Sequence, residues 1–333
     1  GKTNYRLLLI LTEKDVRKFF NGLSLEAILP REVSLEVINE SDYPNLLNII
    51  SEKRPDIILG GWSTPMLPSL DGRPPANYYC HICGTVRRQV PRAYLEQGML
   101  VTNWGNAIST TVAEAAILLG LACFRNLGEH QTDFHIDKRW RGISQVQKSF
   151  WGVRAGIHGL GNIGREVARM LAVFGAKVSA YDPYVEEKDY GGISVSRADS
   201  LEDLFETSEI LFECSGLTPE TEGIVNRDML ARLPDDATFI NVARGQLVDQ
   251  EALIDELRAK RLRAGLDVFR EEPVPEDSPL RGLAGLVVMP HLGALAQETF
   301  QRSVKTAMDN IHRYVNNQDM LFEVTLHDYD RMT

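Results

Sequence analysis

The stretch from Val153 to Glu166 constrains this chain more than any other. A short apolar run enters Gly159-Leu160-Gly161-Asn162-Ile163-Gly164, and beyond it Val167, Ala168, Met170, Leu171, Val173 and Phe174 recur at helical spacing. The pattern reads as a strand, a tight turn and the start of a helix. The first glycine permits the turn and the second lets a pyrophosphate approach the backbone. The third allows helix and strand to pack closely, with the free amides of the helix N-terminus left to hold an anion. A second apolar strand, Ala176 to Tyr181, ends on Asp182, 18 positions past Gly164. That is about where an acid receives the ribose hydroxyls of a dinucleotide.

At 333 residues the chain exceeds what one core usually serves, so two domains are expected. The net charge of −10 argues against a nucleic-acid or anionic-membrane surface. No window approaches the roughly 18 apolar residues that span a bilayer. The greasiest stretch, Ala115 to Phe124, reads as a buried helix. The N-terminal residues lead straight into a strand without a signal-peptide pattern. Cys80 and Cys83 flank His81 and Ile82, but no second Cys/His pair at ligand spacing accompanies them. If Tyr78 to Cys83 is a strand, the two thiols point to opposite faces. They read as packed thiols in a reducing cytoplasm, where the chain is expected, and no metal is expected.

Strand patterns at Tyr5–Leu11, Ser34–Ile38, Asp56–Gly60, Tyr78–Cys83 and Leu100–Asn103 alternate with helical ones at Glu13–Phe20 and Tyr43–Lys53. Alternation of this kind predicts a parallel sheet with crossover helices. The Pro/Gly-rich segment Ser63–Pro75 reads as a surface loop. A long helix is expected from Thr110 or Thr111, as N-cap, to about Leu127, followed by a less regular stretch to Phe150. Past the glycine motif, strands are expected at Ile210–Phe212, Thr238–Asn241, Ala264–Val268 and Leu286–Met289. Helices are expected near Leu201–Phe205, Arg227–Ala231 and Gln250–Ala259. With the first two, these make about six strands, a full dinucleotide-binding domain. A last helix, Gln297 to Tyr314, should return to the first domain.

Three polar residues follow strands of the second domain: Arg244 in Asn241-Val242-Ala243-Arg244-Gly245, Glu272 in Phe269-Arg270-Glu271-Glu272-Pro273, and His291 in Met289-Pro290-His291-Leu292-Gly293. Each alone could be a surface charge or a turn cap. Their joint arrival at successive strand ends, where such sheets bind ligands, points to a site.

With these motifs the chain resembles the D-isomer-specific 2-hydroxyacid dehydrogenases, the D-lactate, D-glycerate and D-3-phosphoglycerate dehydrogenase family. The matching residues are Gly159 to Gly164, Tyr181-Asp182-Pro183, Leu217 to Thr221, Asn241 to Asp249, Leu266 to Pro273 and Pro290-His291, with Val112-Ala113-Glu114 in the first linker helix. The resemblance implies an α/β fold of two doubly wound parallel-sheet lobes. A Rossmann NAD-binding domain, residues 107–293, would be inserted into a flavodoxin-like substrate domain, residues 1–106 and 294–333, with the active site in the cleft and closure excluding water. It implies hydride transfer between NAD(H) and a 2-oxo acid/D-2-hydroxy acid pair. His291 would donate the proton, Glu272 would orient its ring and favour its charged form, and Arg244 would bind the substrate carboxylate while polarising the carbonyl. Gly159, Gly161, Asn162, Ile163, Gly164, Asp182, Thr221, Val242, Ala243, Asp267 and Gly293 would hold the cofactor, with Asp267 fixing its carboxamide. A homodimer is implied, resting also on the apolar helix from Val112 and the Trp-bearing segment after it.

The run Gly84-Thr85-Val86-Arg87-Arg88-Gln89-Val90-Pro91 departs from the family's substrate loop, Gly-x-Gly-x-Asp-x-Ile-Asp. The backbone at Thr85 and Val86 is still expected to meet the substrate carboxylate. Gly216 stands where the family commonly has Pro. Formate dehydrogenases, which are relatives, carry Gln where this chain has Glu272, so formate oxidation is disfavoured. The competing reading is an NAD sensor without turnover, since the resemblance takes in corepressors that keep the same three polar residues.

Overall fold

Among the described residues, twelve strands form two all-parallel sheets in a computed structural model of the protein. The structure describes residues 4–332 apart from residues 141–145, 187, 189, 191 and 193. Two compact units are present: Gly1–Ile108 with Leu295–Thr333 (unit 1), and Ser109–Ala294 (unit 2).

In unit 1 the strands are β1 (Tyr5–Ile10), β2 (Val33–Ile38), β3 (Ile57–Gly60), β4 (Tyr78–His81) and β5 (Leu100–Thr102). Their order is β2-β1-β3-β4-β5, the flavodoxin-like arrangement. β3 and β4 are buried throughout, as expected for a sheet covered on both faces. The helix Glu13–Phe20 starts where the Thr12 side chain accepts a hydrogen bond from the Asp15 amide. Phe19 and Phe20 then pack beside Leu7, Leu9 and the last long helix, Gln297–Val315, through Phe300, Val304 and Ile311.

Cys80 and Cys83 are both buried and unbridged. They share one core cluster rather than opposite faces, because β4 ends at His81 and strand alternation stops there. The expected helix Tyr43–Lys53 divides into a 3-10 segment, Glu40–Asn45, and an α-helix, Leu46–Lys53. Pro44 lies in the 3-10 part, just before the α-helix, and its missing N–H keeps it out of the α-helical ladder. A short helix at Leu326–Arg331, absent from the sequence reading, is capped by Thr325 and Asp328 reciprocally.

In unit 2 the strands are β6 (Arg154–His158), β7 (Lys177–Tyr181), β8 (Ser196–Arg197), β9 (Ile210–Glu213), β10 (Thr238–Asn241), β11 (Arg263–Leu266) and β12 (Leu286–Val288). The order β12-β11-β10-β9-β6-β7-β8 is that of a Rossmann sheet, with its switch point between β6 and β9. The seventh strand, β8, was not expected: two exposed residues at an edge carry no apolar run. β11 ends at Leu266, two residues early, because the Asp267 side chain takes over the hydrogen bonding there.

The helix Ser109–Phe124 begins before the expected caps and stops before Leu127. A second helix, Leu127–His135, follows in the stretch read as irregular. The first helix is buried along most of its length, with the Leu119 Cβ 2.9 Å from where a Cβ on Gly265 would lie. No single helix among the described residues is long and apolar enough to cross a membrane.

The unit 2 core brings Phe239 on β10 together with Leu211, Leu253 and Leu266, all almost fully enclosed. Phe239→Ala is therefore expected to cost about 3–5 kcal/mol, read as a lower urea midpoint with an unchanged slope.

Candidate functional site

Two glycines of the motif, Gly159 and Gly164, are required by their surroundings. Gly159 has φ +87°, and a Cβ there would lie 2.6 Å from the Ser215 Cα. At Gly164 a Cβ would meet the Gly159 carbonyl oxygen at 2.1 Å, so any side chain would push the helix Asn162–Val173 off the turn. Nothing lies within 4 Å of a Cβ on Gly161, which leaves that side of the turn open. Gly161 is also the N-cap of the helix and offers no side chain to cap it, so the first-turn amides are available to an anion. Asn162 and Ile163 open that turn. Asp182 sits beside it, its carboxylate accepting from the amides of Leu160 and Tyr184, both at 2.9 Å. An open glycine turn, an uncapped helix start and an acid after the second strand fit a dinucleotide.

The other residues gather at the carboxyl ends of β10, β11 and β12, three neighbours in the sheet. Beyond β10, the Asn241 side chain accepts from the Ala243 amide at 3.0 Å and donates to the Arg244 carbonyl at 2.9 Å. That brace holds Val242, Ala243 and Arg244 in a fixed loop. Asn241 was read only as part of a motif; its signal was a polar side chain closing a buried strand. Gly245 lies against the Phe269 backbone, 1.9 Å from where its Cβ would stand. Arg244 is half-buried and donates to the Ala243 carbonyl at 2.7 Å. Burial lowers its pKa and Glu272 works in the opposite sense.

Beyond β11, buried Asp267 accepts from the Leu292 amide at 2.8 Å and the Gly293 amide at 3.0 Å. A Cβ on Gly293 would lie 2.7 Å from that carboxylate. The Asp267 carbonyl accepts from the His291 amide at 2.8 Å, which holds His291 at φ +56°. A left-handed conformation at a non-glycine residue costs on the order of 1 kcal/mol or more and is kept only where neighbours impose it. Here it aims the imidazole at Glu272: His291 Nδ1 and Glu272 Oε2 are 2.6 Å apart. The other carboxylate oxygen, Oε1, accepts from the Phe269 amide at 2.9 Å. Nδ1 is thereby engaged and Nε2 remains for a ligand.

The structure thus brings together Arg244, Glu272, His291, Asp267, Val242, Ala243 and Gly293 on neighbouring strand ends. Thr221 is placed differently. Its hydroxyl accepts from the Thr218 amide and donates to the Gly216 carbonyl, both at 2.7 Å, and so shapes the loop after β9. Thr85 and Val86 belong to unit 1, just after β4. Val86 is fully enclosed in the core, its carbonyl accepting from the Gln89 and Val90 amides.

Residues 117–293 match the family model for the D-isomer specific 2-hydroxyacid dehydrogenase, NAD binding domain. A D-3-phosphoglycerate dehydrogenase of Methanocaldococcus jannaschii is 32% identical over 231 residues, 68% of this chain and 43% of that protein. A hydroxypyruvate reductase of Thermotoga maritima is 37% identical over 211 residues, 62% of this chain and 67% of that protein. The chain spans less than half the length of the phosphoglycerate dehydrogenases it matches. The apo D-mandelate dehydrogenase of Rhodotorula graminis superposes with a TM-score of 0.84 at 23% identity, over 96% of this chain and 97% of that one.

Asp182 generates a test of cofactor choice. A ribose 2′-phosphate would face its carboxylate, a repulsion of about 1 to a few kcal/mol. NADPH should therefore bind on the order of 10- to 100-fold more weakly than NADH, and Asp182→Ser should narrow that gap. Equal Kd values for the two in the wild type would show that Asp182 does not read the ribose. The region that matches the NAD binding domain lies within unit 2, and the chain belongs to the D-isomer-specific 2-hydroxyacid dehydrogenases.

Proposed function

We propose that the protein interconverts a 2-oxo acid and a D-2-hydroxy acid with NAD(H), and that the observation carrying this is the Glu272–His291 contact at 2.6 Å beside the Arg244 loop. NAD(H), bound at the glycine turn, supplies or accepts the hydride. His291 delivers a proton to the carbonyl oxygen from Nε2, Nδ1 being held by Glu272. Arg244 binds the substrate carboxylate through its planar fork and polarises the carbonyl. Its half-buried position strengthens that interaction over one in bulk water. Asp267 holds the Leu292–Gly293 backbone, and with Val242 and Ala243 it shapes the nicotinamide pocket. In unit 1, the read-out of the substrate carboxylate is assigned to the backbone around half-buried Thr85, with Val86 behind it in the core, and unit 1 is read as the substrate domain. Thr221 supports the cofactor wall through its loop.

The rival reading, an NAD sensor, is separated from this one by NADH oxidation against glyoxylate, hydroxypyruvate, pyruvate and phenylpyruvate. Turnover of at least one is expected; tight NADH binding with no turnover of any would favour the sensor. His291→Ala should lower kcat by about 10²- to 10⁴-fold while NADH still binds. Glu272→Ala should lower kcat with little change in NADH affinity, since the ring loses its orienting partner. Near-full activity in His291→Ala would remove it as the acid.

Assembly as a homodimer in the cytoplasm belongs to the same reading. Leu118, Leu127, Phe134, Ile136, Trp140 and Trp151 are large apolar side chains exposed on one stretch of unit 2, Trp140 at 79% and Trp151 at 83%. Exposure of that kind favours an interaction surface. Light scattering at micromolar concentration should give the mass of two chains; a single-chain mass would refute it.

A further inference from the structure

Beneath the dinucleotide turn stands a buried ion pair that the proposed chemistry does not use. His158 is the last residue of β6 and Glu213 the last of β9, and they are Cα partners across the sheet. These strands flank the switch point, the crevice where such sheets take their ligands. His158 Nδ1 lies 2.7 Å from Glu213 Oε2, with the side chains 4% and 0% exposed. Glu213 Oε1 accepts from the Ser215 amide at 2.9 Å and from its hydroxyl at 2.6 Å. Ser215 is the residue that a side chain on Gly159 would strike. The pair therefore ties together the two walls of the crevice, the glycine turn after His158 and the loop after Glu213.

Stability does not account for such a pair. Desolvating two charges cancels most of their attraction, and apolar residues of similar volume often serve the fold as well or better. We propose that His158 and Glu213 are positioning residues for the dinucleotide, and that their combined charge tunes its affinity. With His158 protonated the pair is neutral and the Ser215 loop is held against the turn. With His158 deprotonated, Glu213 is left as an uncompensated anion under the site of a diphosphate, and the cofactor binds more weakly. The inference rests on unit 2 binding NAD(H) at this turn.

Glu213 faces His158 from β9, with Cys214 next to it, and Tyr181 and Asp182 face it from β7 and its end. Of the flanking helices, Asn162–Val173 carries Arg165, Glu166 and Arg169, and Leu201–Thr207 carries Glu202, Asp203 and Glu206, all partly or fully exposed. Burial opposes the imidazolium, but Glu213 outweighs it with help from Asp182, and the His158 pKa is raised. The charged pair therefore persists to higher pH than it would around an unperturbed imidazole. Cofactor affinity is full below the His158 pKa and falls as pH rises through it. By linkage, bound cofactor holds that proton more tightly.

The test is the Kd for NADH, read by its own fluorescence, from about pH 6 to about pH 9.5, a range that brackets a raised histidine. Wild type is compared with His158→Val/Glu213→Leu, which removes both charges and leaves neither orphaned. NMR of ¹³C-labelled histidine follows His158 directly, with and without NADH, in wild-type protein. The expected result is a loss of affinity of about 3- to 10-fold across the His158 titration, a flat profile in the double variant, and an upward shift of the His158 titration by NADH. A flat wild-type profile, the same slope in the double variant, or a titration indifferent to NADH would overturn the proposal. If the double variant does not fold, the wild-type NMR titration decides alone. No NADH binding by the wild type at any pH would instead overturn the NAD reading beneath it.

Discussion

The contact on which unit 2 depends is the approach of Gly164 to the Gly159 carbonyl. With 2.1 Å available where a Cβ would stand, only glycine lets the helix Asn162–Val173 begin on the turn itself. The consequences run in both directions. Toward the core, the close start seats Val167, Ala168 and Leu171 against the sheet. Toward solvent, it leaves first-turn amides without a capping side chain at the switch point of the sheet. A single packing constraint therefore produces both the crossover and the uncapped helix start.

The second organising feature is the way side chains take over from strands at their carboxyl ends. Asn241 closes β10 and braces the loop that carries Arg244. Asp267 closes β11 and binds the amides beyond β12, which imposes the left-handed conformation of His291. Glu272 spends one oxygen on the Phe269 amide and the other on His291. Buried or half-buried carboxylates and amides are costly without partners. Here each finds its partner on its own loop or a neighbouring one, so the geometry that satisfies the core also fixes the Glu272–His291 contact.

Much of this was legible in the residues. Apolar runs of Leu, Ile and Val separated by helical stripes identify parallel strands, because a sheet covered on both faces needs no polar alternation. Glycine spacing, Asp182 and the three polar residues after β10, β11 and β12 follow from the same logic. The edge strand β8 was not legible, since two exposed residues leave no pattern, nor was the helix Leu127–His135, whose apolar side chains are largely exposed. The 3-10 segment around Pro44 and the early end of β11 depend on local hydrogen bonding that periodicity does not register.

What the sequence by itself determined is the class of fold, the glycine turn between strand and helix and the identity of the polar residues, because each rests on local spacing and residue chemistry. Only the tertiary structure decided which of those residues touch. Glu272 and His291 are separated by 19 positions, and Glu213 and His158 by 55, and their meeting depends on strand order rather than on spacing. The same holds for Thr221, whose hydroxyl is spent on its own loop, and for Val86, whose side chain the core claims. Strand order sets which chain ends lie side by side, and that is the physical reason the site is closed by the fold and not by the motif.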